Sequence, residues 1–171
     1  MKTAKLIIDG KEIEIQINEE QLKQLYPQKK KTGYEKATKE NPIFFFDLGT
    51  GYVTDNHDLG VESGSDNNAY IAANYYTSET VAKNNARADK LMRQLRRFAV
   101  ERREEPIDWK ETSQHKFYIY YTNKYGISIG DVVALYDFGA IYFDTKEAAH
   151  LAIDAFRDEL LWYFKEHKDS L

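Results

Sequence analysis

Two stretches of this chain carry one pattern. Residues 74–98 begin Asn-Tyr-Tyr-Thr-Ser-Glu-Thr-Val-Ala and run on to Leu95 and Phe98. Residues 141–164 begin Ile-Tyr-Phe-Asp-Thr-Lys-Glu-Ala-Ala and run on to Tyr163 and Phe164. In each, an aromatic strand ends in two rings (Tyr75-Tyr76, Tyr142-Phe143), a polar residue caps the next element, and that element is an amphipathic helix of about twenty residues. Such a repeat constrains architecture, because each helix has one apolar face that strands of its own copy must cover. It constrains no chemistry.

The rest of the chain fits around the repeat as an α+β fold. Residues 4–17 read as a hairpin, with Leu6-Ile7-Ile8, the turn pair Asp9-Gly10, and Ile13, Ile15 and Ile17 alternating with polar residues. Asn18 as N-cap with Gln21 three residues on predicts a short helix over Glu19–Leu25 that Pro27 stops. Residues 1–27 thus form an N-terminal ββα module, and 28–41, polar and without period, a linker. Two strand-meander-plus-helix (βββα-like) repeats come after it, at 42–100 and 115–171, joined by a second linker at 101–114. The first has strands near 43–46 and 52–53, a strand over 69–76 and a helix from Ser78 to about Val100. The second has strands near 116–122, 127–136 and 139–143 and a helix from Thr145 to about Glu166. Asp144 is its expected N-cap, with Glu147 closing the capping box. The apolar positions Val81, Ala82, Ala86, Met92, Leu95 and Phe98 in the first helix, and Ala148 to Phe164 in the second, keep helical spacing.

Thirteen Tyr and nine Phe must supply much of the packing, with some rings left at the surface. The run Phe117 to Tyr121 places Phe117, Ile119 and Tyr121 on one face and Tyr118 and Tyr120 on the other, where exposed tyrosines suit partner recognition. Trp162 belongs with the apolar helix face. A net charge of −4 gives the whole molecule no attraction to phosphate or to anionic membranes. Absence of cysteine excludes disulfides, thiolate metal ligands and a cysteine nucleophile. With no apolar leader and no long apolar run, a soluble protein of the cytoplasm is expected, with no membrane partner.

Candidate chemistry is sparse. On the first long helix Lys83, Arg87, Lys90, Arg93 and Arg97 form a basic stripe, suited to an acidic protein surface or a phosphate backbone. Its counterpart helix carries acid at Glu147, Asp154, Asp158 and Glu159, so the two helices can also simply face each other. Residues 136–153 are similar to the third strand and second helix of an RNA-recognition motif through Phe138, Gly139, Ile141 and Phe143. Tyr136 stands at the basic position, however, Asp137 at the first glycine and Ala140 at the second stacking ring, so shared packing accounts for the likeness. Asp55, Asn56, His57, Asp58, Glu62 and Asp66 offer oxygens to a hard cation but miss the calcium-loop spacing, and read as a solvated loop. Gly49-Thr50-Gly51 reads as a hairpin turn. His57, His115, His150 and His167 are dispersed, with no catalytic spacing, so an enzyme is not expected, and neither a cofactor nor a metal is called for.

Several segments taken together resemble a group of uncharacterised accessory proteins of phages and prophages of Gram-positive (Firmicutes) bacteria: Gly10-Lys11-Glu12-Ile13-Glu14-Ile15, Lys31-Thr32-Gly33-Tyr34-Glu35, Ala86 through Ala99, Asp137-Phe138-Gly139 and Trp162-Tyr163-Phe164. The likeness spans nearly the whole chain. It implies a phage-encoded, non-enzymatic binding protein in the bacterial host cell, an inhibitor of a host antiviral defence protein such as an RNA-guided nuclease (anti-CRISPR type). The stripe, with Tyr118 and Tyr120, is the expected binding surface. The alternatives are a nucleic-acid-binding accessory protein using the same stripe and a sponge for a nucleotide defence signal, in a pocket between the repeats. Monomer and homodimer are equally compatible with the repeat.

Overall fold

The computed structural model describes residues 2–8, 10–18, 20, 21, 24, 31–35, 43–47, 52–56 and 64–167. Strands and helices are both present, in an α+β arrangement, and the chain divides into two compact units, Met1–Thr32 and Gly33–Leu171. The boundary falls inside the 28–41 stretch read as a linker.

In the first unit β1 (Lys2–Ile8) and β2 (Lys11–Ile17) pair antiparallel. The register sets Ile8 opposite Lys11, so two residues make the turn, and Gly10 takes the positive φ of 76° that this turn demands. Position 6 lies opposite Ile13 and position 4 opposite Ile15, and the strand period places Ile13, Ile15 and Ile17 on one face of β2. Residues 20, 21 and 24 are helical, and the entry is a reciprocal capping box: Gln21 N donates to Asn18 Oδ1 at 2.8 Å, and Asn18 N to Gln21 Oε1 at 3.0 Å.

The second unit starts with β3 (Ile43–Phe46) and β4 (Val53–Asn56), an antiparallel pair. Where a strand over 69–76 was expected, the chain forms helix α1 (Gly64–Ile71). A Schellman turn closes it, with Ala73 at φ 54°, Ala73 N bonding Tyr70 O and Asn74 N bonding Ala69 O. The β-favouring run Ala69 to Tyr76 is thus divided, and only its last residue pairs: Phe44 and Tyr76 exchange backbone bonds of 2.8 and 2.9 Å. Ser78 then caps α2 (Glu79–Glu101), its hydroxyl accepting from Val81 N at 3.4 Å. Residues 33–35 pack over this start. Gly33 O accepts from Thr77 N at 2.8 Å, and Glu35 Oε2 from Gly33 N and Thr77 Oγ1. A Cβ at Gly33, which sits at φ 88°, would lie 2.9 Å from Val81.

β5 (Lys116–Thr122) and β6 (Gly126–Val132) form the longer hairpin, and β7 (Tyr142–Phe143) joins the other edge of β5 in the order β6-β5-β7. The predicted strand over 127–136 stops at Val132, and the one over 139–143 shrinks to two residues because 136–141 turn, with Gly139 at φ 81°. The cap of α3 (Lys146–Ala155) is Thr145, accepting from Ala148 N at 3.2 Å, and not Asp144. Asp144 is engaged elsewhere: its Oδ2 accepts from the backbone N–H groups of Glu104 and Glu105 at 2.6 and 3.1 Å. The expected single helix to Glu166 breaks at Phe156 (φ −121°, ψ 20°), resumes as α4 (Arg157–Trp162) and ends in a π-helical turn, Tyr163–His167.

α2 serves both halves of this unit. Ala82 and Ala86 pack with Tyr76, Phe44 and Val53, while Leu91, Leu95 and Ala99 enter the main core with Phe143, Ala149, Ala152 and Leu160. Leu91, not the predicted Met92, takes the buried position. Phe117 and Ile119 pack on this core and Tyr121 stacks on Phe164, as the strand alternation requires. Lys116 is 0% exposed, and its ammonium donates to Glu111 O at 2.8 Å and Val133 O at 2.9 Å. Two carbonyls thereby take the place of lost water and tie the 101–115 segment to the sheet.

Candidate functional site

All five cations of the stripe lie on α2, and four are tied to carboxylates. Lys83 Nζ is 2.6 Å from Glu79 Oε1, Arg93 pairs with Asp89, and Arg97 Nε lies 3.7 Å from Glu101 Oε1, each within one turn. Arg87 instead leaves its helix. Its Nε and Nη2 donate to the two carboxylate oxygens of Glu159 at 2.7 and 3.0 Å, and its guanidinium carbon stands 4.0 Å above the Trp162 ring. The hydrogen bond raises the Arg87 pKa and holds the Glu159 carboxyl below the usual range. Arg87 therefore joins α2 to α4. Lys90 is exposed and makes no ion pair among the described residues. The stripe is thus mostly alternating charge, and the intervening acids weaken the field that a phosphate backbone would follow.

Tyr118 and Tyr120 sit on the sheet face away from the core, half-buried in a chain of rings. Trp109 meets Tyr142 edge-on at 4.9 Å, Tyr142 meets Tyr118 at 6.0 Å, and Tyr118 meets Tyr120 at 5.8 Å. Gly130 lies opposite Tyr118 on β6, and a Cβ there would start 2.6 Å from the Tyr118 ring, so the ring lies across the bare glycine backbone.

The sequence did not point to a groove of about 550 Å³ on the second unit. Its floor is the β5 edge from Tyr118 to Tyr121, and its walls come from Leu91 and Leu95 of α2, residues 137–141, and Leu160, Phe164 and His167. Side chains from both faces of β5 line it, so it follows the strand's edge and not one face. β7 pairs with Phe117 and Tyr118 only, while β6 pairs with all seven β5 residues. Among the described residues, the outer edge of Ile119–Thr122 has no backbone partner. Phe138 of the lining is 104% exposed; just before it in the chain, Leu135 and Tyr136 are 60% and 66% exposed, with the Tyr136 ring against Trp109 and Tyr142. The one signal in the sequence was the break in apolar alternation at Asp137 and Gly139, which shortens β7. In the segment similar to the RNA-recognition motif only Tyr142-Phe143 are strand, and Phe138 stands out on a turn.

His115 Nδ1 lies 2.7 Å from Asp131 Oδ2 on the surface, His150 is exposed, and His167 is buried against Trp162 and Tyr163, with burial pushing its pKa down. Asp55 and Asn56 belong to β4 and Asp66 to α1. His57, Asp58, Glu62 and the Gly49-Thr50-Gly51 turn lie outside the described residues. Among the described residues no three His, Asp or Glu side chains converge to hold a metal, and no helix is long and apolar enough to cross a membrane. No protein-family model matches the chain, and comparison with curated proteins and with solved structures finds no significant match to it.

Proposed function

We propose that this chain is a non-enzymatic binding protein that docks a partner protein on its second unit, and that it acts, as the resemblance to phage accessory proteins implies, by occluding a host antiviral defence protein such as an RNA-guided nuclease in the bacterial cytoplasm. The observation that carries the docking half of this reading is the apolar groove along β5, with the fully exposed Phe138 in its lining. Contiguous exposed apolar surface next to a concavity is the usual mark of a protein interface. The pairing of the stripe cations favours a protein partner over nucleic acid.

The finer architecture belongs to the same reading. We infer that the two halves of the second unit are copies of one βββα unit. In both, an aromatic pair returns antiparallel to the first strand of a hairpin, at Tyr76 on Phe44 and at Tyr142-Phe143 on β5, and the hydroxyl two residues later caps a helix. With the N-terminal ββα module they make up the chain.

The test is capture of the tagged protein from nuclease-treated host lysate, with mass spectrometry of retained protein and nucleic acid. One dominant protein that survives nuclease and is lost with Phe138→Ser is the expected result. Retention that disappears with nuclease transfers the function to nucleic acid. Reversal of Arg87 is a poor probe, because that side chain holds α4; Lys90→Gln with Arg97→Gln removes two stripe charges and leaves both hydrogen bonds of that tie in place.

A further inference from the structure

We propose that the open edge of β5 is a strand-addition site, which takes an extended segment of a partner protein as the continuation of β7. This deepens the docking function proposed above and rests on it. A strand edge differs from an apolar patch in what it demands. On the edge away from β6, alternate N–H and C=O groups of residues 119–122 have no strand partner, and another extended backbone matches such a row of donors and acceptors in register. β7 already sets the direction, since the chain comes through Ala140 and Ile141 and only at Tyr142 pairs antiparallel with Tyr118, so an added segment extends β7 at its N-terminal end. An incoming segment of about four residues, roughly 13 Å long, completes that ladder.

The walls state the side-chain chemistry. Residues on the inner face of the added strand meet Leu95, Leu160 and Phe164, and those on the outer face meet the Tyr118 and Tyr120 rings. The segment is therefore apolar at alternate positions. Asp137 is the one carboxylate in the lining, and no lysine or arginine accompanies it, so charge complementarity places a basic residue in or beside the segment. The β5 edge of a second copy does not fit as occupant, because it lies between the same walls and two such floors cannot meet.

The experiment uses the full chain and a capped hexapeptide of alternating valine and threonine bearing one lysine, followed by residue-resolved amide exchange. Binding slows exchange at amides within residues 119–122 by about tenfold or more. The same peptide N-methylated at alternate amides fails to bind, and a glutamate in place of the lysine weakens binding severalfold. Equal binding of the methylated peptide, or protection confined to other residues, overturns the proposal. Ala140→Arg, placed to fill the groove, abolishes peptide binding while the thermal midpoint holds; should it unfold the chain, Phe138→Ser, on a fully exposed side chain, serves instead. The two readings separate cleanly. Captured partner that binds Ala140→Arg undiminished leaves the docking function standing and overturns strand addition, whereas peptide binding at 119–122 with no protein captured upholds strand addition and removes the inhibitor reading. Peptide-free protection of 119–122 that grows with protein concentration identifies self-association and overturns the partner reading.

Discussion

The two hairpins of the second unit start from the same local signals and end differently. β3–β4 has four-residue strands, and its returning aromatic pair bridges the middle of β3 through one residue, Tyr76. β5–β6 has seven-residue strands, and its returning pair covers only the first part of β5. The return segment thus bridges one of four residues in the short strand and pairs with two of seven in the long one, where the unpaired stretch Ile119–Thr122 runs on for four residues. The first half also receives Gly33-Tyr34-Glu35 over its helix start, with the Tyr34 ring 5.3 Å from Tyr76. A repeated sequence signature therefore accompanies a similar local joint in both places, while strand length sets how long a stretch of edge lies beyond that joint.

The largest effect that can test this contrast is removal of each joint's ring. Phe143 is 1% exposed and belongs to the main core, so Phe143→Ala should cost about 3–5 kcal/mol in urea denaturation. Tyr76→Ala should cost less, because its cluster is smaller; equal losses would deny the difference between the halves. Next comes Gly33→Ala. It forces a side chain onto a φ of 88° against Val81, for a loss of roughly 2 kcal/mol, and an unchanged midpoint would mean that residues 33–35 do not pin the first joint. The caps should be equivalent: Ser78→Ala and Thr145→Ala are each expected to lose about 1 kcal/mol, and a large inequality would break the parallel between the copies.

The smallest effect is the dependence on pH, and it falls on the second half. Glu159 has its folded pKa depressed by Arg87, so its contribution is present above the ordinary carboxyl value and is lost as pH falls through the folded one. His167 has a folded pKa depressed by burial, so stability also declines as pH drops below its ordinary value of 6.5 toward the folded one. Thermal midpoints should therefore fall on acidification in two stages. His167→Phe should flatten the upper stage and Glu159→Gln the lower, and an unaltered profile in both would assign the acid response to other groups.

What was legible in the sequence was local. The turn at Gly10, the Asn18–Gln21 box, β5 from Lys116 to Thr122 and the start of α2 at Ser78 each rest on residues close together in the chain. What was missed depended on distant partners. Asp144 would cap α3 by propensity, but the backbone of Glu104 and Glu105 claims its carboxylate, and Thr145 takes the cap. Ala69 to Tyr76 has strand composition, yet a left-handed turn at Ala73 ends a helix within it. The stripe was visible as spacing, while the Glu159 and Trp162 partners of Arg87 were not. For the groove the sequence held only the break in alternation at Asp137 and Gly139, because it is a difference in length between strands that meet only in the fold.

Lys116 provides a built-in reporter for this molecule. An amine sealed from solvent and held by two carbonyls is out of reach of acylating reagents while the sheet is intact, whereas exposed lysines such as Lys90 and Lys124 react at once. Its rate of acylation therefore counts the openings that free it from Glu111 and Val133 at the start of β5, one residue before the ring row begins, and does so without a mutation.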